Sequence, residues 1–340
     1  MDMTGEYQVG QLLLRSPRDL EQLKSFLQRH GLRYEEDIEV AFGVFGPGEQ
    51  LAGCGCAAGG LLKCFAVDEP LRGQNALGLL VSHLTRNRFS AGIYNLFVIT
   101  RRENETLFTA CGLSVVVRTE ELAMLENRAN GPETFAAQFL EPDDRGKTAG
   151  AIVMNCNPFT LGHRGLAEHA AGQCDVLHIF VLEKNQSDFP ADVRYRLVRE
   201  GVADLPNVRV HQGGHYIISE ATFPAYFLKR DEELAMLQSE LDVTLFAQRL
   251  APVLHITKRF AGQEPLDPVT ARYNKTMQRI LPQYGISFCE IPRLERDGRV
   301  ISASRVRKLL REQGVCREVL ALVPESTGRY LQTEFRGFSK

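Results

Sequence analysis

The chain has 340 residues, of which 44% are hydrophobic and 24% are charged, and 40 Lys and Arg nearly balance 42 Asp and Glu to leave a formal net charge of −2. This length predicts two domains, and so weak a net charge argues against nucleic acid or an anionic membrane as the partner. No apolar run approaches the ~20 residues that cross a bilayer, and the eight cysteines form no dense disulfide framework, so we expect a cytoplasmic protein with reduced thiols.

The first part of the chain contains strands interrupted by two amphipathic helices. We predict strands at Gln8–Leu14, Glu39–Phe45, Gln50–Ala57, Leu61–Val67 and Ile93–Ile99, and helices at Arg18–His30 and Gly73–Arg86. This order predicts a mixed α/β domain over residues 1–126 with a mostly antiparallel start. A cluster of Asn, Gly, Pro and charged residues, with one short helical stretch, then predicts a linker over residues 127–147.

Over residues 148–340 strands alternate regularly with helices. We predict strands at Ala149–Asn155, Val176–Leu182, Val208–His211, Leu254–Ala261 and Ile286–Ile291. Each is followed by a predicted helix, and these helices are Gly162–Ala171, Ala191–Leu205, Pro224–Gln238, Pro268–Leu281 and Ala303–Gln313. Repeated βα units predict a doubly wound parallel sheet whose ligand lies beyond the carboxyl ends of the strands. His211 and His215 are four residues apart, but two glycines between them disfavour a helix, so we expect no metal site.

Residues 150–166 read as a buried strand, a tight turn and the first turn of a helix. A helix N-terminus offers free N–H groups and the positive end of a dipole, which suit a phosphate. Gly162 would allow a phosphate to approach the backbone, His163 could donate a hydrogen bond to it, and Thr160 adds a hydroxyl. A histidine that merely lies near a helix start remains the alternative. Cys156 lies in the turn, so we expect its alkylation to inactivate the protein.

A second helix start follows Val300. Ser302 or Ser304 can cap it, and three cations, Arg305, Arg307 and Lys308, fall in its first turns. The helix dipole disfavours cations there, so a bound anion would relieve the repulsion. Two such helix starts in one doubly wound domain predict a nucleoside triphosphate held between them.

These residues match signatures of a known superfamily. Residues 160–163 are similar to the (H/T)-x-G-H signature, and residues 301–307 to the I-S-x-S-x-(V/I)-R signature, of the adenylyl-transferring nucleotidyltransferases, whose domain is Rossmann-like. Within this superfamily the chain most resembles the citrate lyase ligase family, through residues 155–164, 215–227 and 260–274. This resemblance covers nearly the whole chain.

The resemblance implies a ligase that uses ATP and acetate to acetylate the thiol of a CoA-like prosthetic group on the acyl carrier subunit of citrate lyase, through acetyl adenylate, releasing AMP and diphosphate. It implies that His163 and Thr160 stabilise charge on the α-phosphate. The implied ATP-binding residues are Asn155, Asn157, Gly162, Ser302, Ser304 and Arg307. Gly262, Glu264 and Asn274 are a candidate adenine or acceptor wall, and Mg²⁺ is expected on the phosphates with few protein ligands.

Residues 64–76 resemble the GNAT acetyltransferase family, whose Arg-Gly-x-Gly-x-(Gly/Ala) loop holds the CoA diphosphate at a helix start. Here Arg72, Gly73 and Gln74 are candidates for contact with the CoA-like group. Asn75 stands at the second glycine position and Leu77 at the third small position, which adds bulk to the loop. Docking of the carrier's prosthetic group, residual catalysis and a structural relic all remain open, and docking is the interpretation we favour.

Two other functions remain open. A phosphopantetheine-type adenylyltransferase would use the same phosphate motifs on a small-molecule acceptor, although the insert at 215–249 and the first domain exceed what that reaction needs. A regulatory protein with an inactive acetyltransferase domain would bind ATP without turnover.

Overall fold

The computed structural model describes residues 7–183, 187–217, 231–264 and 267–338. The chain divides into two compact units, the first comprising Met1–Gly131 and Phe223–Leu237 and the second Pro132–Thr222 and Gln238–Lys340. The first division lies inside the predicted linker, and the borders at residues 126 and 148 stay predictions. Within the described ranges no helix combines the length and the apolar character required to span a bilayer.

The first unit is built on a seven-stranded sheet. Its strands are β1 (Gln8–Leu12), β2 (Val40–Phe45), β3 (Leu51–Ala58), β4 (Leu61–Val67), β5 (Phe97–Arg101), β6 (Ser114–Arg118) and β7 (Leu122–Glu126). They lie in the order β1-β2-β3-β4-β5-β7-β6, and only β4 and β5 are parallel neighbours. The predicted antiparallel start is therefore confirmed, whereas β6 and β7 were not predicted.

Three helices pack on this sheet: α1 (Pro17–Arg29), α2 (Ala76–Ser90) and α3 (Glu105–Thr109). Helix α1 begins at Ser16, whose hydroxyl accepts a hydrogen bond from the Asp19 N–H, and it packs with Cys56 of β3. Helices α2 and α3 pack with Ala57, the next residue of that strand. Since neighbouring side chains of a strand point to opposite faces, α1 covers one face and α2 and α3 the other.

The second unit contains a five-stranded sheet. Its strands are β8 (Ala149–Met154), β9 (Val176–Val181), β10 (Val208–Gln212), β11 (Ile256–Gly262) and β12 (Ser287–Ile291). They lie in the order β10-β9-β8-β11-β12, and every neighbouring pair is parallel, which confirms the predicted doubly wound sheet. A short hairpin, β13 (Glu295–Arg296) and β14 (Arg299–Val300), follows β12.

The remaining helices connect or flank these strands. They are α4 (Gly131–Ala137), α5 (Leu161–Ala171), α6 (Ala191–Gly201), α7 (Asp231–Leu245), α8 (Pro268–Ile280), α9 (Ala303–Gln313), α10 (Arg317–Leu320) and α11 (Glu325–Thr333). Of the predicted helix Pro224–Gln238, residues 224–230 lie outside the described residues. Its predicted end is wrong, because buried Leu241 and Leu245 continue the apolar face and a π-helical turn, Phe246–Leu250, follows.

The direction of the winding reverses beside β8. From β8 the chain proceeds through β9 to β10 on one side, and it then returns to β11 and β12 on the other side. In such sheets the crevice between the two central strands, beyond their carboxyl ends, is the place where ligands bind. The core of α5, α6 and the sheet fixes these ends, through Ala167, Leu197, Ile152 and Phe260 among others.

Candidate active site

A cavity of about 700 Å³ opens at the carboxyl ends of β8 and β11, within the second unit. Its lining includes residues of α5, α7, α8 and the start of α9. Eight of the sequence-predicted site residues line it, namely Asn155, Thr160, Gly162, His163, Gly262, Glu264, Asn274 and Ser302. Asn157, Ser304 and Arg307 are not among the lining residues. The structure thus brings both predicted helix starts to the same cavity.

Helix α5 begins with a capping box formed by Thr160 and His163. The Thr160 hydroxyl accepts from the His163 N–H at 3.5 Å, and the Thr160 N–H donates to His163 Nδ1 at 3.1 Å. Glu or Gln usually occupies the position that His163 takes here. Because Nδ1 accepts this hydrogen bond, the ring proton of the neutral imidazole is on Nε2.

His163 is a neutral hydrogen-bond donor at physiological pH. Burial, reinforced by the nearby Arg293 guanidinium, lowers the pKa of His163 to about 4. The ring also stacks on Phe159, with the centroids 5.9 Å apart. The imidazole is therefore held in one tautomer and one orientation at the edge of the cavity, where Nε2–H can donate to a phosphate oxygen.

Gly162 brings the two helix starts close together. A Cβ atom on Gly162 would lie 2.9 Å from the carbonyl oxygen of Ile301, the residue that precedes the cap of α9. Among the first four N–H groups of α5, those of Leu161, His163 and Arg164 have partners, and that of Gly162 has none among the residues that the structure describes. Gly162 lines the cavity, so this free N–H is a candidate donor to an anion there.

Helix α9 is capped by Ser302, whose hydroxyl accepts from the Arg305 N–H at 3.2 Å. Ser304 is exposed, and its hydroxyl oxygen lies 3.1 Å from that of Ser302. The two hydroxyls are thus neighbours at the helix start, although only Ser302 lines the cavity.

The cations of α9 already have anionic partners within the chain. Arg305 donates to Glu318 at 2.7 Å, and Arg307 Nε lies 3.0 Å from Asp188. Arg307 Nη1 also donates to the Asn157 carbonyl oxygen at 2.5 Å, and this bond ties α9 to the turn before α5. Relief of charge repulsion therefore does not by itself require a bound anion, and Arg307 reaches phosphate only if it releases Asp188.

Two asparagines shape the turn between β8 and α5. Asn155 accepts a hydrogen bond from Arg194 Nη1 at 2.9 Å through its side chain and at 2.7 Å through its carbonyl oxygen. Asn157 is 8% exposed, and its side-chain oxygen accepts from the Phe189 N–H at 3.0 Å. The peptide bond between Asn157 and Pro158 is cis. Asn157 therefore supports the turn, whereas Asn155 also borders the cavity.

Cys156 does not face the cavity. Its side chain is 1% exposed and packs in the core with Met154 and Phe159. Burial raises the pKa of the Cys156 thiol far above its ordinary value, so it stays protonated. The place of Cys156 in the turn therefore does not direct its side chain to the cavity, and inactivation by its alkylation stays a prediction.

The wall opposite α5 contains the predicted adenine or acceptor residues. Asn274 Nδ2 donates to the Gly262 carbonyl oxygen at 3.0 Å and to Glu290 at 2.7 Å, and Glu264 forms an ion pair with Arg293. These contacts hold the wall in place. Arg293 was not predicted from the sequence, because the short loop that carries it has no recognisable motif.

Arg194 and Arg259 were also not predicted. Arg194 is fully buried on α6 and shares its inward face with Leu197 and Val198. An arginine at an otherwise apolar position of an amphipathic helix was the available signal. Arg259 lies within the apolar strand β11 and lines the cavity at 3% exposure.

Within the described residues no group of three or more His, Cys, Asp or Glu side chains is arranged to hold a metal ion. The acidic residues that line the cavity include Glu264 and Asp242, and both are engaged, with Arg293 and Tyr273 respectively. A cation that accompanies a nucleotide here would be bound mainly by the phosphates.

The candidate loop for a CoA-like group lies in the first unit. Arg72, Gly73 and Gln74 are all exposed, and Gly73 has a φ of 80°. Asn75 caps α2 with a φ of 60°, and its side chain makes no capping hydrogen bond. The loop therefore presents backbone to solvent at a helix start, with the asparagine in a left-handed conformation that glycine adopts more readily.

Comparison with solved structures gives only a weak likeness for the first unit. A GNAT-family acetyltransferase from Staphylococcus aureus covers 36% of this chain and 99% of its own, with a TM-score of 0.31 and 10% identity. The ribosomal-protein-S18-alanine N-acetyltransferase from Escherichia coli covers 35% and 92%, with a TM-score of 0.30 and 17% identity. Scores this low do not establish a shared fold or activity.

A short stretch of the chain is similar to phosphopantetheine adenylyltransferase from Staphylococcus carnosus, at 40% identity over 68 residues. That match covers 19% of this chain and 42% of the relative, so the chain spans less than half of that enzyme.

Much longer matches connect the chain with one family. The family model described as the citrate lyase ligase C-terminal domain matches residues 149–331. The [citrate [pro-3S]-lyase] ligase of Klebsiella pneumoniae is 40% identical over 326 residues, which are 94% of each chain. The enzyme of the same name from Escherichia coli K12 is 38% identical over 321 residues, covering 93% of this chain and 91% of its own. The chain therefore belongs to the citrate lyase ligase family.

Proposed function

We propose that the protein activates citrate lyase in the cytoplasm by acetylating, with ATP and acetate, the thiol of a CoA-like prosthetic group on the acyl carrier subunit. The observation that carries the proposal is the meeting of two helix starts at one cavity. Gly162 of α5 lies against the Ile301 carbonyl, and His163 and Ser302 line the space beside them. Such a site offers N–H and hydroxyl donors to a row of phosphates.

The first step transfers the adenylyl group to acetate. One acetate oxygen attacks the α-phosphorus, an O–P bond forms, the bond to the bridging oxygen of the β-phosphate breaks, and diphosphate leaves. His163 Nε2–H and the Gly162 N–H donate to non-bridging oxygens of the α-phosphate as their charge grows. Ser302 and Ser304 hold the β- and γ-phosphates, together with Arg307 once it releases Asp188, and Mg²⁺ accompanies the phosphates as part of the nucleotide substrate.

The second step transfers the acetyl group to the carrier. The thiolate sulfur attacks the carbonyl carbon of acetyl adenylate, the C–O bond to the phosphate breaks, and AMP leaves. The proton of the thiol passes to solvent. This step needs no further protein nucleophile, since the mixed anhydride is already activated.

The first unit takes part by docking the carrier's CoA-like group. Arg72 offers a cation and Gly73 offers its backbone N–H at the start of α2, whereas the Gln74 N–H donates to the Leu71 carbonyl oxygen at 3.1 Å.

A product analysis tests the proposal. Incubation with ATP, acetate and deacetylated carrier is expected to yield AMP and an acetyl thioester in equal amounts, and omission of acetate is expected to abolish both. A panel of short acids then defines the selectivity of adenylation.

The same product analysis distinguishes the ligase from the two alternative functions. With phosphopantetheine as the acceptor, formation of dephospho-CoA and diphosphate without AMP would establish an adenylyltransferase instead, the activity named for the short match to the Staphylococcus carnosus enzyme. ATP binding without any turnover would instead indicate a regulatory protein.

A further inference from the structure

The cavity contains a buried cation that the two phosphate-binding helix starts do not use. Arg259 of β11 lines the cavity and is 3% exposed. Its Nη1 atom is buried and has no hydrogen-bond partner among the residues that the structure describes. A buried N–H group without an acceptor is unfavourable, so its persistence beside a cavity points to a ligand that supplies the acceptor.

The surroundings hold the guanidinium but leave this donor free. Its carbon atom lies 4.5 Å from the ring centroid of Phe246, which packs against the cation. Asp242 is 3% exposed and is close enough to favour the charged form of Arg259, but it accepts a hydrogen bond from the Tyr273 hydroxyl. Asp242 thus partly balances the positive charge of Arg259, while the Nη1 edge of the guanidinium remains available to a ligand in the cavity.

The position of Arg259 places it on a different wall from His163. Phe260, the next residue, packs into the core with α5, so Arg259 points to the opposite face of the sheet. In the register of the two parallel strands, Arg259 lies beside Ala151 of β8, and β8 leads into the turn that carries Thr160 and His163. Met277 and Ile217 are buried apolar residues that line the same cavity. A small ligand can therefore meet a cation and apolar side chains at once.

We propose that Arg259 binds the carboxylate of a short-chain acid, with Nη1–H donating to one carboxylate oxygen while the other oxygen is free to attack the α-phosphorus. This inference rests on the proposed function, since it assigns the acid subsite of that reaction. The planar fork of arginine matches a carboxylate, and Met277 and Ile217 suit a short alkyl group rather than a second charge.

The test measures acetate binding directly, by saturation-transfer NMR with ¹³C-labelled acetate, and nucleotide binding by calorimetry. Arg259→Met keeps an unbranched apolar stem but removes the guanidinium, and we expect it to weaken acetate binding by about 10- to 100-fold while ATP binding changes less than about twofold. Arg259→Lys keeps the charge without the fork and is expected to give an intermediate loss.

Lys258→Met is the matched control. Lys258 is the neighbouring cation on β11, its ammonium donates to the Gln173 carbonyl oxygen at 2.9 Å, and it is not among the lining residues. This variant is expected to bind acetate and ATP as the unmodified protein does. Should Arg259→Met not fold, the side-chain ¹⁵N resonance of Arg259 in the unmodified protein, identified by its loss in Arg259→Lys, is expected to shift on addition of acetate.

Three results would overturn the inference: unchanged acetate binding in Arg259→Met, loss of ATP binding in place of acetate binding, or an Arg259 resonance that does not shift when acetate is added. The second result would assign the residue to the phosphates of the nucleotide. ATP–diphosphate exchange by the unmodified protein separates this inference from the proposed function. If the unmodified protein shows no acetate-dependent exchange, the proposed function is contradicted. If exchange is normal but acetate binding does not depend on Arg259, only the inference is contradicted.

Discussion

At the scale of single residues, His163 has two roles that arise from one hydrogen bond. Its Nδ1 accepts from the Thr160 N–H, which caps α5 and also leaves the proton on Nε2, toward a ligand. Because the pKa of His163 is lowered to about 4, the ring donates a hydrogen bond without carrying a charge of its own.

Replacement of His163 separates these roles. His163→Ala is expected to lower kcat for ATP–diphosphate exchange by about 10²–10³-fold, the usual cost of losing one transition-state donor. His163→Gln preserves the acceptor of the capping box, so we expect it to keep the thermal stability of the unmodified protein while most of the activity is lost. Full activity in His163→Ala would contradict the assignment.

The same residue sets an expectation for the pH profile. A histidine of ordinary pKa would make activity fall near pH 6.5 as the ring charges, but with the pKa lowered to about 4 the ring stays neutral above that pH. The log of kcat/KM against pH is therefore expected to show no His163-dependent fall between pH 8 and pH 5. A limb near pH 6.5 that disappears in His163→Gln would contradict this account.

The residues that sequence reasoning identified and those it missed differ in what surrounds them. Thr160, Gly162 and His163 belong to a local strand-turn-helix pattern, so adjacent residues predict their positions. Arg259 and Arg293 have partners far away in the sequence, such as Phe246 and Glu264, which only the tertiary fold brings to them. No local sequence pattern predicts such contacts.

At the scale of elements, the site depends on the fit between the start of α5 and the segment that leads into α9. Gly162 is the closest point, since any side chain there would collide with the Ile301 carbonyl at 2.9 Å. Arg307 strengthens the same junction through the Asn157 carbonyl.

Gly162→Ala tests this junction. The added methyl group is expected to push the two helix starts apart, to destabilise the protein by about 1–3 kcal/mol, and to reduce ATP affinity, as measured by chemical unfolding and calorimetry. Gly172→Ala is the matched control at the other end of α5, where a Cβ would meet its nearest atom at an ordinary 3.6 Å. Equal effects of the two substitutions on ATP affinity would contradict the role of the junction.

Element prediction from the sequence succeeded where periodicity is strong and failed where tertiary contacts decide. The alternating βα units of the second unit were placed within a few residues, because buried parallel strands are short apolar runs. The end of α7 was misjudged, since polar residues such as Gln238 and Ser239 are buried by the fold and hide the continuing helix. Strands β6 and β7 are only five residues each and gave too little pattern.

At the scale of the whole molecule, two sheets of different type share one chain; the chain length predicted two domains, and the first observed division, between Gly131 and Pro132, lies inside the predicted linker. The net charge of the sequence also says nothing about titratable side chains that the fold buries next to each other. His178 Nδ1 lies 2.9 Å from His211 Nε2 on neighbouring strands of the second unit, close to Phe139 and Phe180. Burial lowers the pKa of His178 to about 4 and that of His211 to about 3.

This pair makes the free energy of unfolding depend on pH. Both pKa values lie below the unfolded value near 6.5, so the unfolded chain binds more protons between pH 6.5 and pH 4. The pair's contribution is therefore complete above about pH 6.5 and is lost as the pH falls, by on the order of 6 kcal/mol at pH 4, which is about 3 kcal/mol for each histidine. Chemical unfolding from pH 7 to pH 4 measures this loss.

The double variant His178→Phe/His211→Phe is expected to show a smaller loss of stability over that interval than the unmodified protein. His255→Asn, which replaces an exposed histidine at a φ of 53° that asparagine also adopts, is the control for the loss of a histidine elsewhere in the second unit. Identical pH dependence in the double variant would contradict the role of the pair.

The central claim is that this cavity joins acetate to the α-phosphate of ATP. The most direct measurement is turnover with acetate labelled in both oxygens with ¹⁸O, followed by mass spectrometry of the nucleotide product. Attack by the carboxylate on the α-phosphorus predicts AMP that carries one ¹⁸O atom, with none in the diphosphate. AMP without the label, or label recovered in inorganic phosphate beside ADP, would contradict the account.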